Sequence, residues 1–187
     1  MKNKNKSVHR FKKHLALITL ILIAAGAVIG LTIRQNNLNS VASSLDESAQ
    51  PLYKLEGYLR EKYASSISDT TPVHKTCYKV FRLKYDKGEK WCGHDGMMHI
   101  RGLNARDLLT EVTNWTTASG YSLLEPIDTN ITGKAEKNVY RTGFAKSRND
   151  LNRSDIIVSS SEEGVELTMD VSREVLDFLP GYPVKYR

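Results

Sequence analysis

Residues 92–99 read Cys-Gly-His-Asp-Gly-Met-Met-His and gather the side chains of this chain best suited to holding a metal. Cys92, His94 and His99 fall close together, and Cys77 upstream would supply a fourth ligand for zinc, which takes four nitrogen or sulfur donors in a tetrahedron. Met97 and Met98 add soft sulfur donors of the kind that suit Cu(I). Gly93 and Gly96 would let such a segment turn around an ion. The spacing matches no standard finger, since there is neither a CxxC nor an HxxxH. The same two cysteines support a second chemistry. An even number of cysteines on the outer side of a membrane pairs most simply as a disulfide. A bridge closing a loop of about 15 residues stabilises a fold by roughly 3 kcal/mol in the chain-entropy model. Oxidised cysteines no longer serve as ligands. A Cys77–Cys92 disulfide with no cofactor is therefore the expectation, and zinc or copper on the 92–99 segment is the alternative.

Other reaction classes find little to work with. The sequence has no GxSxG elbow, no HExxH and no SxxK, and no Walker or Rossmann glycine pattern. His74, His94 and His99 are the histidines beyond the N-terminal region that could act as bases. Each can be matched on paper with some aspartate and one of many serines, so no catalytic set stands out. Asn114, Asn130 and Asn152 begin formal glycosylation sequons, a number close to what 11 asparagines give by chance. A binding role is expected before a catalytic one.

The elements that must position these residues begin with an anchor. The 187 residues carry a net charge of +6, and six of the 27 bases (Lys2, Lys4, Lys6, Arg10, Lys12, Lys13) lie in residues 1–14, which hold no acid. The remaining 21 bases balance 21 acids, so the charge excess belongs to a basic tail and does not indicate a nucleic-acid partner. Leu15–Ile33 follows, 19 residues without a charge. As a helix it would span about 29 Å, close to the hydrocarbon core of a bilayer. A buried core helix would show polar positions at intervals, whereas only two threonines interrupt this run. Arg34 alone follows it closely, so the positive-inside rule leaves the N-terminus in the cytoplasm and residues 34–187 outside the cell membrane. Ala25-Gly26-Ala27 matches an A-x-A cleavage site, but the apolar run continues past it to Ile33 and exceeds a secretory h-region, which favours an uncleaved signal-anchor. Gly26 and Gly30 form a GxxxG spacing that would let two such helices approach closely.

Residues 34–50 are polar and read as a juxtamembrane linker or an extension of the membrane helix. Leu52, Leu55, Leu59 and Tyr63 recur at helical spacing, with Pro51 in the first turn and the 65–72 run closing the element. Residues 75–85 and 89–92 read as a hairpin turning at 86–88, in which Cys77 does not directly face Cys92 unless a bulge or wider loop intervenes. Met97–Ile100 is a further apolar stretch. A second helix starts at the cap Asn104, buries Ala105, Leu108, Leu109, Val112 and Trp115, and ends at Gly120. Residues 127–138 read as loop and 139–145 as a strand. Residues 155–158 and 165–171 read as a hairpin that turns Val165, Leu167, Met169 and Val171 to one face, and Ser172–Leu179 as a short helix. Bases dominate 75–106 and acids 155–177, which implies either a bipolar docking surface or neighbouring strands that pair their charges.

The fold expected is therefore α+β: one N-terminal transmembrane helix, then a small domain with two main helices packed on an antiparallel sheet. The divisions are a cytoplasmic tail (1–14), a signal-anchor (15–33), a linker (34–50) and an extracytoplasmic domain (51–187). The layout resembles that of type IV pilin-like proteins, but the Gly-Phe cleavage junction and the glutamate five residues into the mature helix are both missing. The function expected is that of a membrane-anchored module, held in the bilayer by 15–33, that binds a protein or an envelope polymer. An extracytoplasmic metal-binding protein using 92–99 is the alternative.

Overall fold

The computed structural model describes residues 4–80, 88–124, 127–128, 139–144, 154–160, 163–175 and 177–185. The chain divides into two compact units, Met1–Ser40 and Val41–Arg187. Helix α1 (Lys4–Lys62) begins in the first and ends in the second. In the first unit the apolar run turns its side chains outward: Leu15, Leu20, Ile23 and Leu31 are 55–67% exposed. This part of α1 is long and apolar enough to cross a membrane, and none of its apolar window is buried against the protein. Residues 34–50 continue the helix. Pro51 therefore lies inside α1 and not in its first turn. Its missing N–H removes one i→i−4 bond, a loss that the packed leucines on either side must outweigh.

Within Val41–Arg187, α1 buries the stripe Leu45, Ala49, Leu52, Leu55 and Leu59, all without exposure. Their spacing of three and four lays them on one face, so the apolar pattern begins earlier than the leucines from 52 onward suggest. Truncating any one of these leucines to alanine typically costs about 2–5 kcal/mol. Helix α2 (Ala105–Ala118) is capped as its sequence predicts, with the Asn104 side chain accepting from the Asp107 N–H at 2.9 Å. Ala105, Leu108, Val112 and Thr116 form its buried stripe, while Leu109 and Trp115 are only half-buried. Trp115 instead joins Tyr58, Tyr121 and Phe144, with ring centroids 5.7–6.1 Å apart, in an aromatic cluster linking α1, α2 and the sheet.

The sheet holds β1 (Ile67–Val80), β2 (Glu89–Arg101), β3 (Ile127–Asp128), β4 (Val139–Thr142), β5 (Asp155–Ser160), β6 (Gly164–Val175) and β7 (Val184–Lys185). Their order is β3-β4-β5-β6-β2-β1-β7. All neighbours run antiparallel except β7, which runs parallel to β1 and makes the sheet mixed. The α+β class stands, with α2 against β4, β5 and β6. Val165, Leu167, Met169 and Val171 of β6 are buried on one face, as the alternation in the sequence predicts.

Several elements differ from expectation. Residues 67–72, expected to close a helix, start β1, and the 92–99 segment lies in the middle of β2. Ile127–Asp128, expected as loop, pairs with β4. Ser172–Val175, expected to open a helix, continues β6 because Lys90–Gly93 of β2 offers it a ladder. Backbone pairing here overrides a cap-like serine. Residues 81–85 and 145 of the expected strands, the turn at 86–87, the remainder of the 127–138 segment, the hairpin turn at 161–162 and the sequons at Asn130 and Asn152 lie outside the described residues.

One irregularity shapes the site. Between Thr71↔Met97 and His74↔Asp95 the register slips, so that Pro72 and Val73 face Gly96 alone. A proline without an N–H is tolerated in such a bulge. The Val73 N–H donates to Glu56 Oε2 on α1 at 2.9 Å, and Arg60 holds the other oxygen of that buried carboxylate at 2.7 Å. A Cβ on Gly96 would stand 2.8–2.9 Å from Val73, and one on Gly93 only 2.1 Å from the Val171 carbonyl oxygen. The two glycines serve close strand approach, not a turn around an ion.

Candidate functional site

Cys77 and Cys92 are joined by a disulfide and stand directly opposite each other in the β1–β2 ladder. The Cys77 N–H points away from β2 and donates to the Pro183 carbonyl at 2.7 Å. The pair is therefore of the narrow, non-hydrogen-bonded kind, with Cα atoms 4.1 Å apart. The ladder runs from Cys77↔Cys92 to Val80↔Glu89 without a shift, so the two cysteines face each other with no bulge between them and that end of the ladder.

The other metal-ligand candidates are not brought together. Alternation along β2 turns His94 and Met98 towards the core, both at most 1% exposed, and Met97 and His99 to the opposite face. Along one face, His94 and Met98 are about 13 Å apart at the usual rise of a strand. His99 Nδ1 is bonded to the Ser68 hydroxyl at 2.5 Å. Among the described residues no group of three or more His, Cys, Asp or Glu stands close enough to hold a metal ion. With its cysteines oxidised, the zinc or copper reading loses its ligand set. Gly26 and Gly30 have open space beside them, with nothing within 4 Å of a Cβ built on either.

His94 does become the centre of a different arrangement. It is 1% exposed, yet both ring nitrogens are engaged. Nδ1 lies 2.9 Å from the Tyr53 hydroxyl on α1. Nε2 lies 2.9 Å from Asp46 Oδ1, also on α1, and 3.0 Å from the Tyr182 hydroxyl of the C-terminal segment. The Tyr182 O–H donates to the same Asp46 oxygen at 2.8 Å, and Lys75 of β1 donates to Asp46 Oδ2 at 2.7 Å. One assignment of protons satisfies every partner. Nε2–H donates to Asp46, and Nδ1 accepts from the Tyr53 O–H. The rings of Tyr53 and Tyr182 meet the imidazole edge-on, with centroids 5.6 and 5.5 Å away.

The electrostatics follow from this packing. Burial pushes the His94 pKa down, outweighing the hydrogen bond and charge of Asp46, so the imidazole is neutral near pH 7. Burial alone would raise the Asp46 carboxyl, but hydrogen bonds from Lys75 and Tyr182, the Lys75 charge and the His94 bond hold it below the ordinary carboxylate range. Burial, with Asp46 beside it, pushes the Tyr182 phenol well up. The result is an ionised Lys75–Asp46 pair next to a neutral histidine, tying α1, β1, β2 and the C-terminal segment together.

Sequence reasoning named His94 for a different role and missed Asp46, Tyr53, Lys75 and Tyr182. Asp46 sits in the stretch read as a linker. The signal available was the apolar spacing of Leu45, Ala49 and Leu52, which places a neighbouring carboxylate on the edge of a buried face. Nothing local marks Tyr182.

The charge asymmetry resolves in part as pairing. Lys90–Asp177 and Arg101–Glu163, each at 3.2 Å, link the basic and acidic segments at the two ends of the adjoining strands β2 and β6. Midway, Asp95, Asp170 and Asp155 stand abreast on the face away from the helices, between His74 and Arg141. Burial pushes the Asp170 carboxyl up there. Comparison with known proteins finds no matching family model, no matching curated protein and no matching solved structure.

Proposed function

We propose that this chain is a single-pass protein of the cell membrane, with residues 1–14 in the cytoplasm, 15–33 in the bilayer and a disulfide-bonded head outside that binds a protein or an envelope polymer. The observation that carries the reading is the apolar span itself. Its side chains turn outward, with none of its apolar window buried, and the chain also holds an oxidised cysteine pair. An apolar surface of that extent calls for lipid, and the disulfide suits an oxidising compartment.

The binding role draws support from the sheet face opposite the helices. Tyr78, Trp91, Met97 and Ile157 are half-buried there, among His74, Asp95, His99, Glu166 and Asp170. Aromatic and methionine side chains beside polar groups are the composition of a recognition surface. In the strongest acid–base grouping the His94 imidazole is 1% exposed and both its nitrogens are engaged by the chain itself, which favours binding over catalysis. The test is a photo-crosslinking residue placed at Met97 or Ile157 in the full chain in intact cells, with Thr113, exposed on α2, as control. The reading expects adducts with an envelope component from the two sheet positions and none from Thr113. Equal labelling at all three, or none at the sheet positions, would reject this face as the binding surface.

A further inference from the structure

The C-terminal segment is tied to the head by a short strand and by the side chains of Tyr182 and Lys185. Strand β7 contributes two residues, paired in parallel with Cys77 and Tyr78. Its main-chain tie is the 2.7 Å bond from the Cys77 N–H to the Pro183 carbonyl. Two side chains fix it: Tyr182, 5% exposed, whose hydroxyl reaches Asp46, His94 and the Ala42 carbonyl, and Lys185, whose Nζ lies 2.7 Å from His74 Nε2. We propose that His94, Asp46, Tyr53 and Tyr182 form a proton-operated latch that fastens residues 179–185 over the edge of β1 and releases them when the exterior is acidified.

The argument rests on how the cluster is closed. Every group facing the imidazole is accounted for: Asp46 and Tyr53 from α1, Lys75 from β1, Tyr182 from the C-terminal segment, and Asp95 as neighbour on β2 itself. With His94 neutral, the one negative charge of Asp46 is matched by the one positive charge of Lys75. A proton taken from solvent onto Nδ1 turns an acceptor into a donor, and the N–H then faces the Tyr53 hydroxyl, which must give up its own bond and rotate. The cluster is left with two cations and one carboxylate around an imidazole that is 1% exposed, while Lys75 and Asp46 reach solvent and Asp95 points to the other face of β2. A charge on the buried ring is costly even with Asp46 beside Nε2, because Asp46 is shared with Lys75 and Nδ1–H has lost its partner. The 179–185 segment enters the sheet through only two ladder residues, Val184 and Lys185, so opening there breaks little of the sheet and admits water. Release frees the Cys77 amide and presents an open strand edge at Cys77–Tyr78, a template for another strand.

The test is amide hydrogen exchange on the full chain in phospholipid vesicles, with protection corrected for the intrinsic effect of pH. Between about pH 7.5 and about pH 5, the range in which a histidine changes charge, protection of the Cys77 amide should fall by at least tenfold. The amides of Met98 and Leu167, within the central ladder, should keep theirs. His94→Gln, which retains a donor and an acceptor without titrating, should hold Cys77 protected at both pH values. If that variant does not fold, Tyr182→Phe serves instead and should lower Cys77 protection already at the higher pH. Unchanged protection of Cys77 in the unaltered protein on acidification overturns the latch. So does a parallel loss at Met98 and Leu167, which is global unfolding, or a His94→Gln protein that keeps the full pH response.

Discussion

Replacing Asp46 by alanine should destabilise the head by about 3 kcal/mol, whereas Asp46→Asn should cost only about 1 kcal/mol. The alanine leaves the His94 Nε2–H, the Tyr182 hydroxyl and the Lys75 ammonium without their shared acceptor. Asparagine restores an oxygen for His94 and Tyr182 and loses only the charge opposite Lys75. That pair is more than a third exposed on both sides and is correspondingly weak. For a chain of this size the larger change corresponds to a fall in Tm of roughly 6–12 °C. The pH dependence has a definite sign. His94 has its pKa depressed in the folded state, so between that value and the unfolded value near 6.5 the unfolded chain binds more protons, and stability declines as pH falls through the window. Asp46, also depressed, adds stability that is present above the ordinary carboxylate range and lost as pH drops through its lowered value. Both slopes run the same way. Thermal scans of the full chain from neutral to mildly acid pH should show a falling Tm, with a shallower slope in His94→Gln.

The second large effect belongs to the disulfide. Cys77 and Cys92 should resist alkylation until a reductant is added and then take up two labels, since the described cysteines include no free thiol. Changing both to serine should cost about 3 kcal/mol, because the bridge closes a loop with a sequence separation of 15. Two hydroxyls placed where both positions have no exposure add to that cost. Membrane association, which the proposed function assigns to residues 15–33, should be unaffected. A variant as stable as the unaltered protein would mean that the unfolded chain gains nothing from losing the crosslink.

What was legible in the sequence was whatever depends on local pattern. The 19-residue apolar run, the Asn104 cap, the alternation of Val165 to Val171 and the even cysteine count each carry their cause within a few residues. Elements set by distant partners were not legible. Ser172–Val175 looks like a capped helix until β2 is placed beside it, and Ile67–Pro72 looks like a helix end until Met97–Ile100 pairs with it. The 92–99 segment resembles a metal loop because strand alternation, which sends His94 and His99 to opposite faces, cannot be assigned before the strand is known. The His94 network joins residues 41 and 88 positions away in sequence and has no local signature.

The central claim is that a single membrane span carries the head outside the cytoplasm, and the most direct measurement is a topology reporter fused after Arg187 in cells expressing the full chain. A reporter that becomes active only after export should give signal, one that works only in the cytoplasm should be silent, and the protein should stay with membranes through a high-salt wash. Activity of the cytoplasmic reporter with silence of the exported one would contradict the account, and with it the compartment on which the disulfide and the proton latch depend.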